Sequence, residues 1–189
     1  MYYFNMALTK TPICDFGKKA SEFKLKSTDN KIISLEDIKG ESGTLIMFIC
    51  NHCPYVKAVI KEAVEDCKEL EKIGVKSLAI MSNDTKNYPD DSYENMILFA
   101  KEHQFNFPYV IDETQEIAKE YGAVCTPDFF GYNKNLELQY RGRMRELKEL
   151  KPIQEGKSDL LSAMELIAET GEGPKKQIPS MGCNIKWFK

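Results

Sequence analysis

Cys50 and Cys53 are separated by two residues in Phe48-Ile49-Cys50-Asn51-His52-Cys53-Pro54-Tyr55-Val56, directly after the apolar run 45–49. That run reads as a buried strand, and the apolar spacing after Pro54 reads as a helix. A strand feeding the first turn of a helix sets the first thiol beside backbone N–H groups that have no partner inside the helix. Those groups and the positive end of the helix dipole favour thiolate over thiol. A dithiol so placed can close to a disulfide and reopen, so thiol redox chemistry is expected. Cys50, at the outer end, is expected to attack, and Cys53 to resolve the mixed disulfide. His52 lies between them. As a cation it would stabilise the thiolate, hence the reduced state, and make the disulfide more oxidising.

Four further cysteines complete the set of six. Cys125 is either a third thiol or a small buried residue under a neighbouring proline loop. Cys67 falls on the apolar face of the helix after Pro54 and is expected in the core. Cys183 follows a tail with Gly and Pro; a packed tail is expected there, with docking near the dithiol as the other reading. Cys14 carries no signal. His103 is expected at the surface, and Arg141 and Arg143 are expected to be solvated charges at a strand end, with anion binding as the lesser option. A competing class is a soft metal site for zinc or copper(I), built from Cys50, Cys53, His52 and either Cys125 or Cys183. A single Cys-x-x-Cys argues against it, because structural zinc sites gather two separate ligand pairs. A non-catalytic binding module would have no use for two thiols at a helix start.

The 189 residues, with a net charge of −3, suit one domain over 1–189. That charge gives no support for a nucleic-acid or membrane-surface partner. The first ten residues have no cationic start followed by a long apolar core, so no signal peptide is expected, and no apolar run reaches the roughly 20 residues of a membrane span. The expected location is the cytosol, where cysteines are catalytic, metal-binding or buried rather than structurally bridged.

Elements that must position the dithiol follow from the pattern. Residues 23–25 and 32–35 read as two short strands about a turn. A buried strand spans 44–49, a helix 54–72, and a second strand 75–81. Asp90 or Asp91 is expected to cap a helix carrying Tyr93, Met96, Ile97 and Ala100. A short strand at 109–111 precedes a helix from Glu113 to Tyr121, closed by Gly122. Residues 129–140 read as a hairpin, 141–156 as a polar loop, and Ser158 as the cap of a last helix. Alternating strands and helices followed by a hairpin and a helix imply an α/β fold with a mixed sheet and helices on both faces.

That order resembles the thioredoxin fold. More closely, it resembles the peroxiredoxin-like branch of the alkyl hydroperoxide reductase/thiol-specific antioxidant family. Carrying the resemblance are Cys50-Asn-His-Cys-Pro-Tyr-Val-Lys57, Ser82-Asn-Asp84, Phe107-Pro-Tyr109 with Asp112-Glu-Thr-Gln115, Cys125-Thr-Pro-Asp-Phe-Phe130, Tyr140-Arg-Gly-Arg143 and Gly182-Cys-Asn-Ile-Lys-Trp187. It implies a thioredoxin-like fold with an N-terminal β-hairpin extension. It also implies a cis Pro127 facing the dithiol, with Thr126 presenting backbone groups to substrate. Relative to thioredoxins, Ile49 replaces the tryptophan before the first cysteine and Thr44 stands near the place of a buried carboxylate. Relative to peroxiredoxins, Cys53 aligns with the peroxidatic thiol and Pro54 fits. Cys50, however, takes the threonine position, Ile46 takes that of a proline, and no arginine precedes the hairpin. The expected function is therefore a thiol–disulfide oxidoreductase using Cys50 and Cys53, with a thiol-dependent peroxidase attacking through Cys53 as the alternative. The expected partners are protein or small-molecule thiols and disulfides, peroxides under the alternative, and a thiol reductant. No organic cofactor and no metal is implied.

Overall fold

The computed structural model describes residues 8–153 and 155–189; the N-terminal segment read above for a signal peptide lies largely outside them. Strand β1 (Leu8–Lys10) is followed by the hairpin β2 (Lys24–Ser27) and β3 (Ile32–Ser34), and then by β4 (Gly43–Phe48). Helix α1 (Pro54–Lys72) leads to β5 (Val75–Met81), helix α2 (Tyr93–Glu102), β6 (Tyr109–Ile111) and helix α3 (Glu116–Tyr121). The remaining elements are β7 (Cys125–Thr126), β8 (Asp128–Asn133), β9 (Leu138–Tyr140), β10 (Leu147–Lys148), β11 (Lys151–Pro152), helix α4 (Asp159–Thr170) and β12 (Met181–Asn184). Seven strands form one sheet in the order β3-β2-β6-β5-β4-β8-β9. Pairs β4–β5 and β5–β6 are parallel, while β4–β8, β8–β9, β2–β6 and β2–β3 are antiparallel. This is the expected mixed thioredoxin-like sheet.

Strand β4 is buried at every position because both faces of the sheet are covered. Leu45 and Met47 pack with α1, α2 and α4, whereas Ile46 and Phe48 pack with Ala118 and Tyr121 of α3. Each such side chain contributes roughly 1.5–3 kcal/mol by leaving water. Helix α1 starts at Pro54, where the missing N–H has no intrahelical partner to lose. It buries Val56, Val59, Ile60, Ala63, Val64, Cys67 and Leu70, the three- and four-residue spacing of one face. Cys67 is a core thiol, as its spacing predicts, and burial pushes it up to about 12.

Some local expectations shift. Ser92, not Asp90 or Asp91, caps α2, accepting from the Asn95 N–H at 3.3 Å. Helix α3 begins at Glu116 rather than Glu113, because Gln115 before it adopts a left-handed conformation. The 141–156 segment is not plain loop: β10 pairs antiparallel with β11. Nor are its arginines solvated. Arg141 lies buried against Asp128 at 2.9 Å, and Arg143 meets Asp159 at 2.7 Å. His103 closes α2 half-buried, its ring edge-on to Phe99. Ser158 caps α4 as predicted and also donates to Asp66 at 2.6 Å.

A separate three-stranded sheet, β1-β12-β7, brings the C-terminal tail to the dithiol. Cys183 pairs in register with Thr126, and Asn184 with Cys125. Gly182 permits the approach: a Cβ there would lie 2.0 Å from the Thr126 carbonyl oxygen. No helix among the described residues is long and apolar enough to cross a membrane.

Candidate active site

The dithiol sits where β4 leaves the sheet. Ile49 is the last residue tied to β5, through its N–H to the Ile80 carbonyl at 3.0 Å. The chain then bends through Asn51 and His52 before Cys53 takes the N-cap position of α1 in extended conformation. Asp91 holds that bend. Its fully buried carboxylate accepts from the Asn51 N–H at 2.8 Å and from Asn83 Nδ2 at 2.8 Å, and it meets His52 Nδ1 at 2.7 Å. Tyr109 adds a hydroxyl donating to Asn51 Oδ1 at 3.0 Å. The Asp91 contact raises the His52 imidazole above its ordinary range, against the opposing effect of burial. His52 is thus held toward its cationic form, with the Tyr88 ring stacked parallel at 6.1 Å.

Cys50 was expected at the outer end, beside free N–H groups. Instead both thiols are closed off, Cys50 at 1 % and Cys53 at 0 % exposure, and the helix N-terminus belongs to Cys53. The reason is local: Pro54 starts the helix and Asp91 keeps residues 51–52 outside it, so Cys50 remains in the run-off from β4. Its Sγ lies 3.3 Å from Thr126 Oγ1.

Cys53 Sγ lies 3.0 Å from Cys183 Sγ and 3.1 Å from the Thr126 carbonyl oxygen. These neighbours pull in opposite directions: the carbonyl calls for S–H on Cys53, whereas thiol donors call for S⁻. Three donors outweigh one carbonyl. Hydrogen bonds from Cys183 and Cys50, joined by the Val56 N–H of the first helical turn, hold Cys53 well below the ordinary thiol range despite its burial. Cys50 is pushed up by burial first and by Cys53 second, and Cys183 by Cys53 first and burial second. Hydrogen bonding thus favours the thiolate on Cys53 over its two neighbours.

The Thr126–Pro127 peptide is cis and lies against this cluster, in the position the resemblance implies. Cys125 is buried, its Sγ 3.7 Å from the Pro127 carbonyl. It supports that loop, and burial raises its thiol. Cys183 is buried in a packed tail and also touches Cys53, so both readings offered for it hold together. Its partner strands lie more than fifty residues away, so no local pattern places it. Asp91 was also missed as a site residue, since spacing offered it only as a helix cap. Of the metal ligands weighed above, Cys50 and His52 do converge. With Asp91 they put three donor atoms within 4.8 Å of one another, although His52 Nδ1 already faces Asp91.

All three arginines of the chain are paired with carboxylates: Arg141 with Asp128, Arg143 with Asp159, and Arg145 with Glu62 at 2.9 Å through Nε.

Comparison with known proteins agrees with this fold. The chain is 30% identical over 144 residues to the thiol-disulfide oxidoreductase ResA of Bacillus thuringiensis, covering 75% of this chain and 77% of that one. It superposes on an uncharacterized conserved protein from Geobacillus kaustophilus with TM-score 0.92, at 41% identity over 98% of each chain. A hypothetical protein from Sinorhizobium meliloti superposes with TM-score 0.86 at 31% identity, over 95% of this chain and 97% of the other. The ResA relative supports thiol–disulfide oxidoreductase chemistry. Residues 16–146 match the model of the AhpC/TSA family, so a buried thiol cluster at a strand-to-helix junction, faced by a cis proline, here belongs to a member of that family.

Proposed function

We propose that this thiol–disulfide oxidoreductase cycles between a Cys50/Cys53 dithiol and its disulfide, with Cys53 as the sulfur that attacks. The observation that carries this reading is the Cys53 sulfur at the N-cap of α1, with both cysteine sulfurs against Thr126, Cys50 at its hydroxyl and Cys53 at its carbonyl oxygen. In the forward direction the Cys53 thiolate attacks one sulfur of a substrate disulfide and expels the other as a thiolate. The Cys50 sulfur, deprotonated, then attacks Cys53, forming the Cys50–Cys53 bond and releasing the second substrate thiolate. Two electrons leave the dithiol and the substrate disulfide gains them. A partner thiol reductant reverses the exchange at the protein. Thr126 contributes its backbone and hydroxyl to the substrate-facing wall, and His52, held cationic by Asp91, favours the thiolate and hence the reduced state. The substrates fitting this chemistry are disulfides of proteins or small molecules, and a reducing compartment such as the cytosol would keep the centre charged with electrons.

The test is reduction of insulin disulfides at the expense of dithiothreitol. The wild type is expected to accelerate precipitation and Cys53→Ser to be inactive. Replacing Cys50 and Cys183 together with serine removes both sulfurs touching Cys53 and should leave a substrate adduct trapped on residue 53. Adducts found on Cys50, or activity persisting in Cys53→Ser, would reverse the assignment.

One observation favours peroxide as a second substrate: the Cys53 thiolate followed by Pro54 matches the peroxidatic position. Peroxide would convert the Cys53 thiolate to sulfenic acid with loss of an alkoxide or hydroxide, and Cys50 would displace water to close the disulfide. Cys50 stands in the place of the orienting threonine, and the arginines are engaged by carboxylates. Turnover with peroxide should therefore be slower than with disulfides. Peroxide consumption that outpaces disulfide reduction by the same preparation would promote the peroxidase reading.

A further inference from the structure

Cys183 is unusual in having no place in the two-cysteine cycle while touching the sulfur at its centre. It lies on β12, held from both sides by pairing with Leu8 of β1 and Thr126 of β7, so its position is set by a backbone ladder. Its Sγ is 3.0 Å from that of Cys53, inside ordinary sulfur–sulfur contact, so a short side-chain movement brings the two to bonding distance. Of the three clustered cysteines it is also the least enclosed, at 4 % exposure against 1 % for Cys50 and 0 % for Cys53.

We propose that Cys183 is a third redox thiol, which can take the place of Cys50 in bridging Cys53, so that the oxidised centre exchanges between a Cys50–Cys53 and a Cys53–Cys183 disulfide. This rests on the reading of Cys53 as the central redox sulfur. The exchange needs no outside oxidant. The Cys183 thiolate attacks the Cys53 sulfur of the Cys50–Cys53 bond, a Cys53–Cys183 bond forms, and Cys50 leaves as a thiolate that takes up the proton Cys183 lost. In the reduced centre Cys183 is a poor nucleophile, because its contact with the Cys53 charge holds the proton on it. Once Cys53 is bonded to another sulfur that charge is gone; burial still opposes a Cys183 thiolate and Lys186 still favours it, but the largest barrier is removed. Oxidation of the first pair thus activates the third thiol. The bridge to β12 would carry the oxidising equivalent from the deeply enclosed Cys50 toward the chain's C-terminal strand, where a reductant meets less cover.

The experiment is disulfide mapping of the full chain after oxidation with excess glutathione disulfide, quenching in acid and peptic digestion at low pH. In Cys50→Ser, glutathione should be displaced from Cys53 by Cys183. The expected product is a Cys53–Cys183 cross-link, two hydrogens lighter than the reduced chain, reversed by dithiothreitol and absent when Cys183 is serine as well. In the wild type, a Cys50–Cys53 peptide should appear with a Cys53–Cys183 peptide as a second species, the latter lost in Cys183→Ser. The wild-type arm decides the matter even if Cys50→Ser folds poorly. A wild type linked 50–53 alone, with Cys50→Ser retaining glutathione on Cys53, would overturn the third thiol and leave the dithiol cycle standing. A wild type linked 53–183 alone would uphold Cys183 and remove Cys50 from the cycle. A wild type in which Cys53 forms neither bond would overturn both.

Discussion

Asp91→Asn is the most revealing single substitution, because this one carboxylate organises the bend between Cys50 and Cys53. It is wholly buried and accepts from the Asn51 N–H, from Asn83 Nδ2 and from His52 Nδ1, at 2.7–2.8 Å in each case. The asparagine amide keeps one oxygen, which can still serve Asn51 without the assistance of charge. Its new NH₂ group faces the Asn83 amide donor to donor. Hydrogen bonds to a charged group are worth about 1.5–3 kcal/mol and neutral ones about 0.5–1.5, so these two changes together cost about 3 kcal/mol when His52 is neutral and can itself accept from the amide. When His52 is cationic its Nδ1–H also loses its acceptor, adding about 2 kcal/mol.

The pH dependence follows from the direction of the His52 shift. Because its folded pKa is raised, the stabilisation it brings is fully present below the unfolded value and fades as pH rises through the folded one. Asp91→Asn should therefore lose about 5 kcal/mol at pH 5.5 and about 3 kcal/mol at pH 9, in urea unfolding of the reduced protein. Proton NMR gives an independent reading, since the chain has only two histidines. The His52 C2 proton should titrate at lower pH in the variant. An equal loss at both pH values, or an unmoved His52 titration, would refute the claim that Asp91 holds His52 in its charged form.

Three further outcomes test the frame around the site. Arg141→Met should cost about 3–5 kcal/mol at pH 8 by stranding Asp128 in the interior. Burial already lifts the Asp128 carboxyl to about 6, so protonation should relieve part of that loss in urea melts at pH 5. Gly182→Ala must displace β12 from Thr126, since a Cβ there meets the carbonyl oxygen at 2.0 Å; about 1–3 kcal/mol is the expected overpacking cost. Its sharper signature is loss of the Cys53–Cys183 cross-link in the Cys50→Ser background. Ser158→Ala should lower stability by about 1–2 kcal/mol through loss of the α4 cap, seen as a reduced melting temperature, and should push the Asp66 carboxyl above its present value of about 6 by removing its donor.

The elements that position the site were legible where physics is local. Pro54 and the helical spacing through Leu70 define α1, the uninterrupted apolar run defines β4, and Ser158 marks α4 because a cap acts three residues away. Contacts made across the fold left no comparable mark. Asp91 looks like a helix cap within its own segment, yet its partners are Asn51 and His52, some forty residues earlier. Arg141 and Arg143 look like solvated charges beside a turn, because nothing near them in sequence announces the carboxylates at 128 and 159.

The dithiol shows how fine that division is. A strand, two cysteines and a proline suffice to say that a thiol will sit at a helix N-terminus, but which thiol depends on the residue where the helix begins. Had the helix started within the motif, its free N–H groups would have served Cys50. Asp91, from a distant segment, instead ties down residues 51 and 52, so the helix starts at Pro54 and those groups serve Cys53. The same outside influence supplies Cys183, through a ladder whose strands come from both ends of the chain. The class of chemistry is thus written in nine consecutive residues. Which sulfur caps the helix, and the presence of a third one against it, come from tertiary contacts that those nine residues do not contain.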